Sequence, residues 1–235
     1  MNKKIFLLFL VFALMVTFSQ GWTAEKSATC KACPSKCLQT PCGCVIIQEE
    51  IWYDLADEPA YHAQKAHDYF LKKDFAASAQ EIRRLNNFII AGISVTSGDI
   101  KKNLENSAKE LDALAGKIAA GEVKSINELD NVLAKVSYNL AKRFKKAAHD
   151  SFLKKETKKT GKALKASMLY LENAALFLGH KFETEALDII KGTKNLAGKL
   201  ISGTEKIGQD TGKLMDKAGT VIDNLGKKLE VKKSK

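Results

Sequence analysis

The chain has 235 residues, of which 45% are hydrophobic, 28% are charged and 8% are aromatic, and its formal net charge is +11. With three prolines and many Ala, Leu, Lys and Glu residues, this composition is typical of an all-helical protein. Aromatic residues do not interleave with the lysines, so the basic charge does not indicate a surface that binds single-stranded nucleic acid.

The chain opens on the pattern of a signal peptide, residues 1–21. Two lysines precede an apolar run from Ile5 to Phe18, which is too short to span a bilayer comfortably. We expect cleavage after Gly21 or Ala24, and an uncleaved anchor is the alternative. Cleavage would remove two lysines and no acid, which lowers the net charge to +9. The pattern predicts an exported protein, periplasmic or secreted, with about 210 residues left to form a core.

Residues 22–56 form a cysteine-rich N-terminal segment in which prolines and a glycine break regular structure. Its five cysteines are Cys30, Cys33, Cys37, Cys42 and Cys44. In an oxidising compartment such thiols normally pair, and an odd number leaves one thiol for a partner chain, a metal or the free state. The first interpretation is therefore structural disulfides, including a disulfide-linked homodimer.

The alternative interpretation of the cysteine cluster is a bound metal, zinc or copper, or a redox site. The segment contains no histidine, so a zinc site would need four of the cysteines. Pro34 follows Cys33 where a haem-attachment motif needs histidine. A thioredoxin-like redox site needs a βαβ setting, which this pattern does not indicate.

Helical periodicity begins at Asp57, and residues 57–122 are predicted to hold three helices. Asp57 fits an N-cap with proline in the first turn, a second helix follows Asp74, and a third runs from about Ser97 to Gly121. The preceding stretch, VIIQEEIWYDLA, fits either a strand or an edge helix.

Residues 123–203 are predicted to hold three more helices. The first opens at Ser125 and Glu128, which have the spacing of a capping box. The second covers about 157–178, and the third starts near residue 181.

Two stretches recur at an offset of 82 residues. AHDYFLKK at 66–73 returns as AHDSFLKK at 148–155, and LAGKI at 114–118 returns as LAGKL at 196–200. We interpret them as marks of a diverged duplication of one three-helix unit, because two copies could bury their apolar stripes on each other. Chance similarity in a chain rich in Lys, Ala and Leu is the alternative.

Each copy of the octapeptide carries a histidine, His67 or His149. A phenylalanine and a leucine follow each histidine three and four positions later, so both imidazoles are predicted to lie along an apolar stripe. We expect core or capping histidines. A pair of metal ligands is the weaker hypothesis, because a bundle metal site usually adds carboxylates at E-x-x-H spacing.

Residues 204–235 are predicted to form a basic amphipathic helix. Lysines outnumber acids by 11 to 5 over 191–235, and Gly212, Gly219 and Gly226 recur every seven residues. Each glycine costs a helix roughly 1 kcal/mol relative to alanine. One interpretation is a helix docked on the bundle. The other is a tail that binds an anionic membrane surface or an acidic envelope partner, since each lysine near such a surface contributes about 1 kcal/mol.

These patterns predict an all-α protein: a helical bundle of two diverged three-helix repeats, with an irregular cysteine-rich N-terminal segment and a C-terminal amphipathic helix. The motifs H-E-x-x-H and G-x-S-x-G are absent, and we predict no catalytic activity. The predicted function is that of an exported binding or scaffold protein of the cell envelope, with no nucleic acid as partner. The alternative is a periplasmic metal-binding or redox-linked protein that uses the cysteine cluster.

Overall fold

The computed structural model describes residues 49–233, with side chains for 51–230. Within that range every regular element is a helix, which confirms the predicted all-α bundle. The helices are α1 (Glu49–Asp54), α2 (Glu58–Leu71), α3 (Phe75–Ser94), α4 (Gly98–Ala119), α5 (Ile126–Leu153), α6 (Thr157–Leu178), α7 (Thr184–Ser202) and α8 (Gln209–Lys233). No helix among the described residues is both long enough and apolar enough to span a membrane.

Capping side chains fix two of the helix starts. The Asp74 carboxylate accepts a hydrogen bond from the Ala77 amide at 3.0 Å, and Ser125 Oγ accepts one from the Asn127 amide at 3.1 Å. The glutamate of the predicted capping box, Glu128, lies 3.8 Å from the ammonium of Lys117 in α4. Its carboxylate therefore links two helices.

The repeated octapeptide ends a helix in the same way in both copies. Lys73 and Lys155 adopt the left-handed conformation, with φ of 62° and 59°. In each copy the amide of the next residue donates to a carbonyl five positions back, at 2.9 Å. This is the Schellman ending, which glycine usually supplies. The shared phrase thus specifies the turns between α2 and α3 and between α5 and α6.

The second repeated stretch also ends a helix in both copies. Gly121 and Gly203 have positive φ, and the residue after each glycine donates its amide to the carbonyl of Lys117 or Lys199, at 2.9 and 3.0 Å. These matching turns support the predicted duplication. The duplication itself stays a prediction about the origin of the chain.

Consecutive helices are neighbours in space. In the first half α3 packs between α2 and α4, and in the second half α6 packs between α5 and α7. The contact between α5 and α6 is the most extensive among the described helices, and α5 also contacts α2 and α4. Helix α8 closes the bundle against α5, α6 and α7.

The short helix α1 supplies the central side chain of the core. Trp52 is fully buried, and its ring stacks on Phe88 of α3 at 5.0 Å and on Phe144 of α5 at 4.5 Å between centroids. Phe144 stacks in turn on Tyr170 of α6 at 5.5 Å. Gly92 makes room for the indole, since a Cβ there would lie 2.5 Å from its Cζ2 atom.

Hydrogen bonds hold this aromatic stack in place. Tyr170 is buried and donates its hydroxyl to the carbonyl of Ala56 at 2.6 Å, and burial raises its pKa well above the ordinary value. The indole N–H of Trp52 donates to the carbonyl of Phe88 at 3.5 Å. The packed body therefore includes α1, which lies at the end of the predicted N-terminal segment 22–56, where the sequence fits either a strand or an edge helix.

Helix α8 docks along α5 through its regularly spaced glycines. Gly212, Gly219 and Gly226 approach three side chains of α5 that are also seven residues apart: Phe152, Lys145 and Tyr138. A Cβ on Gly226 would collide with the Tyr138 ring, and one on Gly219 would lie 2.5 Å from Lys145 Nζ. The two helices are therefore antiparallel neighbours. The docked-helix interpretation of the tail agrees with this packing.

Candidate functional site

The cysteine cluster lies outside the described residues. Whether Cys30, Cys33, Cys37, Cys42 and Cys44 form disulfides or hold a metal therefore stays a prediction from the sequence. Within residues 49–233 no group of three or more His, Cys, Asp or Glu side chains is arranged to hold a metal ion.

His67 lies at the junction of three helices. Its side chain is 22% exposed, and its Nε2 atom is 3.5 Å from the Asp130 carboxylate of α5. Its ring centroid lies 6.0 Å from that of Phe177 in α6. His67 therefore contributes to the packing of α2 against α5 and α6.

His149 occupies a different environment, so the prediction that both histidines lie on an apolar stripe is wrong for this one. Its side chain is 60% exposed, with the Asp150 carboxylate 4.0 Å away. The buried line of α5 passes through Ala148 and Ser151, whereas Leu153 is exposed. The positions of the phenylalanine and the leucine relative to His149 predicted the wrong buried face of α5. The leucine of the octapeptide in fact faces solvent.

A groove lies between α7 and α8. It encloses about 700 Å³ between the first half of α7 and the second half of α8, within the size range of small-molecule sites. Its floor is apolar and comes from both helices: Phe182, Ala186, Ile189, Val221 and Leu225. Ala186 and Ile189 lie on α7, Phe182 lies just before its first residue, and the last two are one turn apart on α8.

Charged side chains stand along the rim of the groove. Lys217 lies on α8 toward one end, and Lys227 and Lys228 lie toward the other. Two carboxylates, Glu183 and Glu185, come from the start of α7. Three lysines thus outnumber two glutamates around an apolar floor.

His180 marks the end of the groove near the start of α7. Lys228 Nζ lies 3.2 Å from His180 Nε2, and an ammonium can only donate, so this contact requires a neutral imidazole. Burial lowers the pKa of His180, the charge of Lys228 lowers it further, and the nearby Glu183 carboxylate opposes both effects. The ring also packs edge-on against Phe182 at 5.3 Å.

The exposed side of α8 carries balanced charge. Four exposed lysines accompany four exposed carboxylates between residues 209 and 230: Lys213, Lys217, Lys227 and Lys228 with Asp210, Asp216, Asp223 and Glu230. The apolar residues of α8, such as Ile222 and Leu225, are buried in the bundle. In the part of α8 whose side chains are described, up to residue 230, the apolar side therefore packs on the bundle.

Sequence reasoning missed this groove. The sequence predicts only a helix that starts near residue 181, and periodicity does not distinguish a fully covered apolar stripe from one that lines an opening. The two adjacent lysines that face the groove, Lys227 and Lys228, were counted only as tail charge. Compared with protein-family models, curated proteins and solved structures, the chain has no match.

The contact between His180 and Lys228 predicts how His180 titrates. Lys228→Gln removes a positive charge beside the ring, so the pKa of His180 should rise toward its usual value. Glu183→Gln removes the opposing carboxylate, so the same pKa should fall further. A proton NMR titration of the full chain measures both shifts. An unchanged pKa in Lys228→Gln would contradict the described contact.

Proposed function

We propose that the protein is an exported, non-catalytic binding protein of the cell envelope, whose groove between α7 and α8 takes a single-chain amphiphilic anion in monomeric form. The observation that carries this proposal is the combination of an apolar floor with lysines toward both ends. Such a floor suits a hydrocarbon chain, and the lysines suit a carboxylate or sulfate head.

The dimensions of the groove fit a chain of moderate length. Lys217 and Lys228 are eleven residues apart on α8, and a rise of 1.5 Å per residue gives a separation of about 16 Å along the axis. Each methylene group transferred from water contributes about 0.8 kcal/mol. A ten-carbon chain could therefore gain several kcal/mol, enough to offset part of the cost of association.

The charges favour one class of amphiphile. Lys227 and Lys228 are exposed on the same stretch of α8, and Lys228 reaches the His180 end of the groove. Glu183 and Glu185 partly offset this charge, which suits a head of single negative charge better than a polyanion. Screening by salt should weaken the contribution of these exposed lysines to binding.

The envelope location and the absence of catalysis rest on the sequence: the predicted signal peptide supports export, and the chain lacks the hydrolase motifs sought above. Association with an anionic membrane surface is a second form of the same proposal. It rests on the lysine excess of residues 191–235, and the balanced charge on the exposed side of α8 makes it the weaker form.

Calorimetric titration of the full chain tests the groove. Decanoate, decanol and decyltrimethylammonium are compared below their micelle concentrations. We expect decanoate to bind at one site per chain, decanol more weakly and the cation weakest, because the three share a chain and differ in head charge. Equal binding of the anion and the cation would contradict the proposal.

Two variants that introduce the same side chain locate the decanoate site. Ala186→Phe fills the groove and should abolish binding, whereas Leu187→Phe places a phenylalanine at the adjacent position, which is 51% exposed, and should leave binding unchanged. Equal loss in both variants would place the ligand elsewhere. If the protein binds anionic phosphatidylglycerol vesicles but not decanoate, the groove proposal fails and association with the membrane surface takes its place.

The alternative function, metal or redox chemistry at the cysteine cluster, has its own test. For structural disulfides, non-reducing mass spectrometry of the exported protein should show two intramolecular bridges with one free thiol or a covalent dimer. Five free thiols with stoichiometric zinc or copper would establish the alternative instead. Decanoate binding by the groove does not depend on either result.

A further inference from the structure

We propose a second ligand site, for a small oxyanion, in a cleft where the turn between α3 and α4 faces the last turns of α5. The cleft has a volume of about 90 Å³ and lies around Arg143, which is 5% exposed yet lines it. This site is separate from the groove between α7 and α8, so neither proposal rests on the other.

The guanidinium of Arg143 is fixed in place. Its Nε atom donates to Thr96 Oγ1 at 2.8 Å, and its Nη2 atom donates to the carbonyl of Val95 at 3.1 Å. The guanidinium carbon lies 5.1 Å from the ring centroid of Trp52. A guanidinium held by the backbone turn and by an aromatic ring is pre-oriented, so less entropy is lost when it binds an anion.

Positive charge exceeds negative charge around this cleft. Besides Arg143, three lysines line it, Lys146 and Lys154 from the end of α5 and Lys159 from α6. Two carboxylates offset part of this charge: Asp150 lies 2.9 Å from Lys146, and Glu156 lies 3.7 Å from Lys159. Among the side chains described around the cleft, four cations accompany two carboxylates, which favours an anion, and the low accessibility of Arg143 strengthens this attraction.

Hydroxyl groups also line the cleft. Ser97 is the N-cap residue of α4, but its side chain makes no capping hydrogen bond. Ser151 is 2% exposed and lies on the opposite wall, in α5. Hydroxyls beside charged donors are the groups that bind the several oxygens of a phosphate or sulfate.

The size of the cleft limits its ligand. A water molecule takes about 30 Å³ in the liquid, so about 90 Å³ accommodates roughly three waters or one tetrahedral oxyanion. The proposed ligand is therefore inorganic phosphate or the terminal phosphate of a phosphomonoester, with the remainder of the ester in solvent.

The test is an NMR titration of the ¹⁵N-labelled full chain with inorganic phosphate, followed at the Arg143 Nε–H and the Thr96 amide. We expect saturable shifts at both. Lys154→Gln and Lys159→Gln should each weaken binding by about tenfold, because each removes a charged donor from the cleft. Neither substitution touches the bonds that hold Arg143.

Lys109→Gln is the matched control, since Lys109 is an exposed lysine of α4 outside the cleft. It should leave phosphate affinity unchanged within about twofold. Equal weakening of phosphate binding by all three variants would mean diffuse charge attraction and would overturn the proposed site. NMR shifts that do not saturate with phosphate would overturn it as well. A parallel titration with glycerol phosphate distinguishes the two candidate ligands. If both phosphate and glycerol phosphate bind, the site accepts a phosphomonoester. If phosphate alone binds, the site takes only the free anion.

Discussion

The indole of Trp52 lies between the rings of Phe88 and Phe144, so one side chain of the short helix α1 contacts a helix from each three-helix half. An aromatic side chain of this size buries about 200 Å², worth roughly 5 kcal/mol as an upper estimate of its transfer from water. That contribution is comparable to the net stability of many domains. A residue that belongs to neither half therefore contributes to the packing of the two halves on each other, beside the direct contacts of α5 with α2 and α4.

Both candidate sites depend on the same core through α5. Phe144 of this helix contacts Trp52, while the adjacent Arg143 stacks over the indole and lines the oxyanion cleft. Further faces of α5 hold α8 through Tyr138 and Lys145, which pack where glycines leave space. Because α8 forms one wall of the apolar groove, its docking on α5 determines whether that groove exists.

Local sequence rules predicted much of the fold. The range predicted for α6, 157–178, agrees with its observed bounds, and the predicted cap Ser125 forms its hydrogen bond, whereas the predicted cap Asp57 makes none. These features depend on residues close in sequence, so capping and periodicity suffice to find them. The octapeptide was recognised as a repeat, but its role in ending a helix depends on the positive φ of Lys73 and Lys155, which residue type does not indicate.

The features that sequence could not predict arise from distant contacts. The stretch containing α1 is too short for its period to distinguish strand from helix, and its burial comes from rings more than 30 residues away in sequence. His149 is exposed because α5 turns a different line of side chains inward. The groove likewise results from the way α7 and α8 pack, which the stripe on each helix does not specify.

The central claim is that the Trp52 contact holds the two halves as one body, and the unfolding free energy of Gly92→Ala measures it most directly. A Cβ at Gly92 would lie 2.5 Å from the indole, whereas a Cβ at Gly116 in α4 would meet no atom within 4 Å. In denaturant titrations of the full chain, Gly92→Ala should lose about 1–3 kcal/mol. Gly116→Ala should be neutral or gain up to about 1 kcal/mol from its higher helix propensity. Equal stability of the two variants would contradict the claim.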